Sequence, residues 1–303
     1  MSLTHIPFEE GQENLDWHGL MKAIEDGHKL PKAEIGDTFL YRDSDTLLSR
    51  SAWVDGLGLA VKSATVFPKN PEREMAMING AVSLFSDKDG TLEALIDFHL
   101  VTKWKTAGDS LLAASRLARE DSSCILIIGS GTVGRSLREA YGALFPNASF
   151  LVWSRTQTNA EKMVRDCTRT EICNDLQTAI ERADVITSAT MSTEPLIKGE
   201  WLHPGQHIDL IGAYRPDMRE VDDQAILRSR VFVDSYDTTI DHIGEIKIPI
   251  ESGVISTTDI IADYYNFEEF TRNSEEEITL FKNGGGAHLD LMASKFILER
   301  WGK

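Results

Sequence analysis

The sequence predicts an α/β fold: a doubly wound parallel sheet, plus a mixed α+β region that the chain visits twice. Three observations carry this. Cys124 to Ile128 is a short apolar, β-branched run, as in a strand buried on both faces. Gly129, Gly131 and Gly134 follow it at once in the spacing G-x-G-x-x-G, and Leu137, Ala140, Tyr141 and Leu144 then recur at helical period. From there, strand-like and helical runs alternate. The first hundred residues, by contrast, are strand-rich without that alternation.

Strand, glycine turn and helix in that order suit a dinucleotide pyrophosphate, the Rossmann arrangement. The first glycine makes the tight turn, the second lets backbone approach phosphate, and the third lets helix pack on strand. The helix N-terminus adds free N–H groups and partial positive charge. Gly129, Ser130, Gly131, Thr132, Val133 and Gly134 are therefore the expected cofactor contacts. An acidic residue closing the second strand would bind the ribose hydroxyls of NAD. Here Leu151-Val-Trp is followed by Ser154, Arg155 and Thr156, with no carboxylate. An arginine there can pair with a 2′-phosphate, so NADP is the expected cofactor and NAD the alternative. Ala189, Thr190, Met191 and Ser192 close a later strand, where backbone meets the nicotinamide ribose.

Taken in order, Asn14 can cap a helix carrying Leu15, Leu20, Met21 and Ile24 and ending near Gly27. Strands are expected at Thr38-Phe-Leu-Tyr, at Thr46-Leu-Leu-Ser and from Leu57 to Phe67, where Pro68, Asn70 and Pro71 end the last. A strand pair at Ala81 to Phe85 and Leu92 to Asp97 flanks the turn signal Asp87-Lys-Asp-Gly. Thr102 to Arg119 reads as a helix with Leu111, Leu112, Ser115 and Leu117 inward. Beyond the glycine turn, strands are expected at Phe150 to Trp153, Val185 to Ala189, Ile208 to Ile211 and Val231 to Asp234. Helices are expected at Asn159 to Asp166, Leu176 to Arg182, 257 to 265 and 287 to 301. The last follows the loop Asn283-Gly-Gly-Gly and should return to the N-terminal region. That divides the chain into a discontinuous domain, 1–118 with 285–303, and a dinucleotide domain, 119–284, with the active site in the cleft between them.

The 303 residues carry 42% hydrophobic and 26% charged side chains, ordinary for a globular protein. A net charge of −17 argues against nucleic acid and anionic membrane as partners. Cys124, Cys167 and Cys173 form no disulfide framework and point to a reducing compartment, with Cys124 expected in the core. No secretion signal or membrane-length apolar run is visible, so a cytoplasmic location is expected. His203-Pro-Gly-Gln-His207 reads as a turn, because Pro204 and Gly205 forbid a helical metal pair, and no metal site is expected. Glu275-Glu-Glu reads as a solvated helix face. His288 reads either as a surface histidine at a helix start or as one reaching the cleft.

Lys62 stands on an otherwise apolar strand with Leu59, Ala60, Val61, Ala64, Val66 and Phe67. Burying a lysine there is costly unless it is paired or functional. Several stretches resemble the ornithine cyclodeaminase/mu-crystallin family: Ala60-Val-Lys-Ser-Ala-Thr-Val-Phe-Pro-Lys-Asn, Thr102-Lys-Trp-Lys-Thr-Ala-Gly-Asp-Ser, the glycine turn, Ser154-Arg-Thr and Gly212-Ala-Tyr-Arg-Pro-Asp-Met-Arg-Glu-Val-Asp. Thr279-Leu-Phe-Lys-Asn-Gly-Gly and the last helix are similar to the family's ending. The resemblance runs from about residue 55 onward and implies a homodimer, with the discontinuous domain binding substrate and dimerising. It implies hydride transfer at the α-carbon of an amino or imino acid, with Lys62 nearest the chemistry. It further implies Lys105 as its catalytic partner, Arg50 and Gly285 as substrate contacts, and Thr106 at the cofactor. Two positions depart from the pattern. Lys105 replaces the family arginine, giving a point charge in place of a planar fork, so carboxylate binding is expected to be altered or shared with Arg50 or Lys103. Tyr214 falls where cyclodeaminases carry an aspartate. The resemblance therefore implies an NADP-preferring reductase of a small 2-imino acid, possibly a cyclic one such as a pyrroline- or piperideine-2-carboxylate, or the reverse oxidation. The alternatives are an ornithine or lysine cyclodeaminase recycling NAD and a non-catalytic dinucleotide-dependent binding protein.

Overall fold

Residues 3–165 and 167–302 are described in a computed structural model of the chain. It divides into two units: residues up to Lys105 together with those from Gly286 onward, and Thr106–Gly285. The first unit begins with β1 (Thr4–Ile6), α1 (Phe8–Gly11) and α2 (Trp17–His28). The cap of α2 is Asp16, whose carboxylate accepts the Gly19 N–H at 2.6 Å. Asn14 and Leu15 therefore lie ahead of the helix, a correction to the sequence reading: Asp16 is the residue in extended backbone immediately before the first helical turn.

The chain then forms β2 (Glu34–Arg42), β3 (Asp45–Val54), β4 (Gly58–Val66), β5 (Ile78–Phe85) and β6 (Leu92–Asp97). The sheet order is β1-β6-β5-β4-β3-β2, antiparallel except for β1 beside β6. Along β4, Gly58, Ala60, Lys62 and Ala64 are buried while their neighbours are half-buried, the period of two that places Lys62 on the core face. The helix expected from Thr102 is α3 (Phe98–Leu117). Asp97 starts it earlier, accepting the N–H groups of His99 and Leu100. Ser115 is exposed and not on the inner face, where Ala113 and Ala114 stand instead.

The second unit continues with β7 (Cys124–Ile128), α4 (Thr132–Leu144), β8 (Ser149–Trp153), α5 (Gln157–Arg165), β9 (Thr170–Ile172), α6 (Leu176–Arg182), β10 (Val185–Ser188) and β11 (His207–Leu210). Asp166, the expected end of α5, lies outside the described residues. Next come α7 (Asp223–Leu227), β12 (Ser229–Val233), α8 (Tyr236–Thr239), α9 (Gly244–Glu251), β13 (Ile260–Ala262) and β14 (Ile278–Lys282). Among the described residues its eight strands are all parallel, in the order β13-β12-β14-β11-β10-β7-β8-β9. The order turns back on itself at β7 and β10, the switch point where doubly wound sheets open a crevice at their carboxyl ends.

Three further expectations are corrected here. The helix expected over 257 to 265 is an edge strand, β13, between short 3-10 turns, because Ile260 and Ala262 are buried in pairing with β12. Glu275-Glu-Glu is a turn rather than a helix face, and Glu277 faces inward to pair with Arg230 at 3.3 Å. Cys124 is half-buried at the rim of the core cluster built on Leu126, Ile128, Ile186, Ile208 and Leu280. The 203–207 stretch does turn at Pro204 and Gly205, and His207 opens β11 fully buried.

From Gly286 the chain rejoins the first unit as α10 (Ala287–Arg300). This helix packs on β3, β4 and α2 and is buried almost all round, from Ala287 to Ser294 without a break.

Candidate active site

In the second unit β7 delivers its last residue, Ile128, into a turn that only glycine can make. Gly129 has φ of +110°, and a Cβ there would come within 2.8 Å of the Ala189 carbonyl. A Cβ on Gly134 would sit 2.0 Å from the Gly129 carbonyl, so the third glycine is what lets α4 start against the turn. Gly131 precedes α4 in extended backbone, and among the described residues no side chain caps that helix. Nor would a Cβ on Gly131 meet any described atom within 4 Å. An uncapped 13-residue helix with open space before it fits an anion such as pyrophosphate. The neighbouring loops converge on it. Ser130 donates to the Ser154 hydroxyl at 2.9 Å, tying the turn to the end of β8, where Arg155 and Thr156 are exposed.

The loops after β10 and β11 are fixed by a carboxylate that the sequence reading quoted without a role. Glu220 is fully buried. Its Oε1 accepts from the Ser188 hydroxyl (2.6 Å), the Thr190 N–H (2.8 Å) and the Thr190 hydroxyl (2.7 Å). Its Oε2 accepts from the N–H groups of Gly212 (2.7 Å) and Ala213 (3.2 Å). Glu245, also buried, accepts the N–H groups of Glu220 and Val221. Burial and the nearby Glu220 charge push the Glu245 carboxyl up to about 7. Lys282 supplies the countercharge from β14, and its ammonium donates to the carbonyls of Leu210 and Asn283 at 2.9 and 2.8 Å. Asp234 accepts the Gly285 N–H at 2.7 Å, and Asn283 donates to the Thr106 carbonyl at 3.0 Å.

In the first unit the buried face of the sheet carries cations. Lys62 is 8% exposed and donates to Asp290 of α10 at 2.9 Å. It also lies 4.7 Å from the Phe98 ring centre. Arg50 stands directly opposite Lys62 in the β3–β4 register and is forked onto Asp37 at 3.0 to 3.1 Å. Lys105, from α3, is buried as well. Burial pushes the Asp290 carboxyl up, but Lys62, Lys105 and Arg50 together outweigh it and hold Asp290 below the ordinary aspartate range. His288 is fully buried, not at the surface, with its ring 5.1 Å from that of His28. Burial pushes His28 down to about 4, and burial, with His28, Lys105 and Arg50 nearby, pushes His288 well below the ordinary imidazole range.

The expected site residues thus fall into two groups. Lys62, Arg50 and Lys105 share one electrostatic environment in the first unit. Gly129 to Gly134, Ser154 to Thr156 and Ala189 to Met191 line the carboxyl edge of the sheet in the second. Gly285 belongs to that second group, and its N–H is committed to Asp234. Lys103 is turned to Gln12 at 3.2 Å. Tyr214 is exposed, with Arg215 stacked near it. Among the described residues no group of three or more His, Cys, Asp or Glu could hold a metal, and no helix is long and apolar enough to cross a membrane.

A parallel sheet with a glycine turn at its switch point defines a Rossmann-class dinucleotide-binding protein, here joined to a first unit that buries two lysines, Lys62 and Lys105. The chain belongs to the ornithine cyclodeaminase/mu-crystallin family, whose model matches residues 52–303. It is 44% identical over 300 residues to a Delta(1)-pyrroline-2-carboxylate reductase of Paracoccus denitrificans, covering 96% of this chain and 95% of that protein. Among solved structures it is similar to the Thermococcus litoralis Delta(1)-pyrroline-2-carboxylate reductase in complex with NADH and L-proline. That likeness has a TM-score of 0.90 and 25% identity, over 98% of this chain and 97% of the other. An archaeal alanine dehydrogenase dimer with bound NAD also gives 0.90, at 27% identity over 99% and 96% of the two chains.

Proposed function

We propose that this protein reduces a small cyclic 2-imino acid, of the Delta(1)-pyrroline-2-carboxylate kind, to the amino acid with a nicotinamide dinucleotide. The observation that carries this is the set of cations around Asp290: Lys62 on β4, Arg50 opposite it on β3, and Lys105 on α3. A substrate carboxylate needs compensating charge, and three cations against two carboxylates, Asp290 and the Asp37 that pairs with Arg50, leave one positive charge over. A reduced nicotinamide, when bound, supplies the hydride and its two electrons to the imine carbon. Lys105 and Arg50 hold the carboxylate. Lys62 donates one ammonium N–H to Asp290 as a hydrogen bond and has two left for substrate, so it delivers the one proton that the imine nitrogen needs. Tyr214 offers no anion for a second substrate ammonium, which favours reduction over cyclodeamination.

The cofactor residues are Gly129, Ser130, Gly131, Thr132, Val133 and Gly134 at the pyrophosphate. Ser154, Arg155 and Thr156 meet the adenosine ribose, and Ala189, Thr190 and Met191 the nicotinamide end, with Thr106 nearby. Exposed Arg155 supports a preference for NADP. A homodimer is supported by the apolar residues that β2 and β3 expose, Phe39, Leu40, Tyr41, Leu47 and Trp53. Beside them is a depression of about 440 Å³ lined by Ile35, Ala52, Leu59 and Val61. The decisive assay mixes the protein with NADPH or NADH and Delta(1)-pyrroline-2-carboxylate and follows loss of the reduced nicotinamide. Cofactor binding by calorimetry without any turnover would overturn the reductase reading in favour of a binding protein.

A further inference from the structure

The glycine turn, the loop after β10 and the loop after β11 approach one another closely through their backbones. Ala189 lies against Gly129. Thr190 lies against Gly212, where a Cβ would fall 1.9 Å from the Thr190 carbonyl. Backbone hydrogen bonds set part of their spacing, from Ala189 N–H to the Ile128 carbonyl and from the Ile211 and Gly212 N–H groups to the Ser188 carbonyl, and a side chain that reaches both loops sets the rest. The atoms that do so are the two carboxylate oxygens of Glu220, one turned to Thr190 and Ser188 and the other to Gly212 and Ala213. We propose that Glu220 is a positioning residue of the reaction: its carboxylate bridges the two loops and sets where the Ala189–Met191 backbone presents the nicotinamide. This rests on the reading of those residues as the nicotinamide contact.

The geometry makes the charge itself necessary. Three of the five donors are backbone N–H groups, at least one on each oxygen, and they cannot turn round to accept. An amide of the same shape must point its NH2 at one set, donor against donor. Glu245 holds the Glu220 backbone from below, and Lys282 provides the countercharge, so the carboxylate cannot simply swing out. None of these groups is exposed. Glu220 therefore acts through the loops and not on substrate.

The test is Glu220→Gln, assayed with the imino acid, NADPH and NADPH deuterated at the transferred position. The expected result is a fall in kcat on the order of a hundredfold with a larger primary deuterium isotope effect, as for a hydride donor held out of line. Affinity for ADP-ribose, which carries the adenosine and pyrophosphate without nicotinamide, should stay within about twofold, since Gly129 to Gly134 keep their own geometry. A merely structural role would lower ADP-ribose affinity and kcat together and leave the isotope effect unmoved; that outcome overturns the proposal, as does an unchanged kcat. If Glu220→Gln does not fold, Thr190→Val removes one of the five bonds. It should lower kcat by about tenfold and raise the isotope effect; no change in either overturns the proposal. Failure of the wild-type protein to bind any dinucleotide overturns the underlying reading instead, and is seen before any variant is made.

Discussion

The two units bury charge in opposite ways. In the first, two lysines, Lys62 and Lys105, are buried against one aspartate, Asp290, and a side chain pairs with Lys62 as another pairs with half-buried Arg50: Asp290 and Asp37. In the second the buried charges are mostly carboxylates, and Glu220, Glu245 and Asp234 spend their oxygens largely on backbone N–H groups. A side-chain partner can be exchanged for a ligand; a backbone partner cannot without moving a loop. The first arrangement suits a group that meets substrate, the second a group that fixes the frame around a cofactor.

The sharpest way to break this comparison is at Lys62. Lys62→Met should lower kcat for imine reduction by about 10²–10⁴-fold, the range for loss of a positioned proton donor, while dinucleotide affinity measured by calorimetry stays unchanged. Asp290→Asn should come next. Removing one partner of a buried pair leaves the other uncompensated, and about 3–5 kcal/mol of stability should be lost in urea unfolding. The double variant Lys62→Met with Asp290→Leu should recover most of that stability and none of the activity, separating the pair's structural role from its chemical one. Arg155→Ala should weaken NADPH binding by roughly ten- to a hundredfold, the value of a charge-assisted pair with phosphate, and change NADH binding little. Equal losses would leave Arg155 as a stacking residue alone.

The smallest effect separates the units by pH. His28, lowered from 6.5 to about 4, binds its proton less well folded than unfolded. Its contribution is fully present above 6.5 and fades as pH falls toward 4. Glu245, raised from 4.5 to about 7, has the opposite sign: its contribution is complete below 4.5 and is lost as pH rises through 7. Asp209, raised by burial to about 6, adds to the Glu245 limb, while His207, lowered by burial to about 3, opposes it within the same unit. His28→Gln should therefore flatten the acid limb of the stability profile, and Glu245→Gln the limb between 4.5 and 7. Equal slopes in wild type and both variants would show that neither group titrates with unfolding.

The glycine turn was legible in the sequence because everything it needs is contiguous: an apolar strand, three glycines and a helix within two dozen residues. Lys62 was legible because a lysine on an apolar strand has few bland explanations. Asp290 was not, since its partner lies 228 residues away and its helix reads only as one that returns to the N-terminal region. Glu220 was hidden for a different reason. The run Arg215 to Asp222 enters the sequence analysis only as part of a family resemblance, with no role for Glu220, and only the folded loops reveal that their N–H groups require an anion there. The same limit explains β13, where edge pairing with β12 overrode a helical pattern, and β14, a tail-like stretch that slots between β11 and β12.

The return of α10 to the first unit also sets an order of events on the ribosome. Thr106–Gly285 emerges as one uninterrupted stretch, with every strand of its sheet in hand. The first six strands emerge before it, yet the helix that covers β3 and β4 is translated after it. Until then Lys62 has no Asp290, and the apolar face around it is open to water or to other chains. The earlier half of this protein is therefore the later one to mature, and the nascent chain most needs protection at the strands it made first.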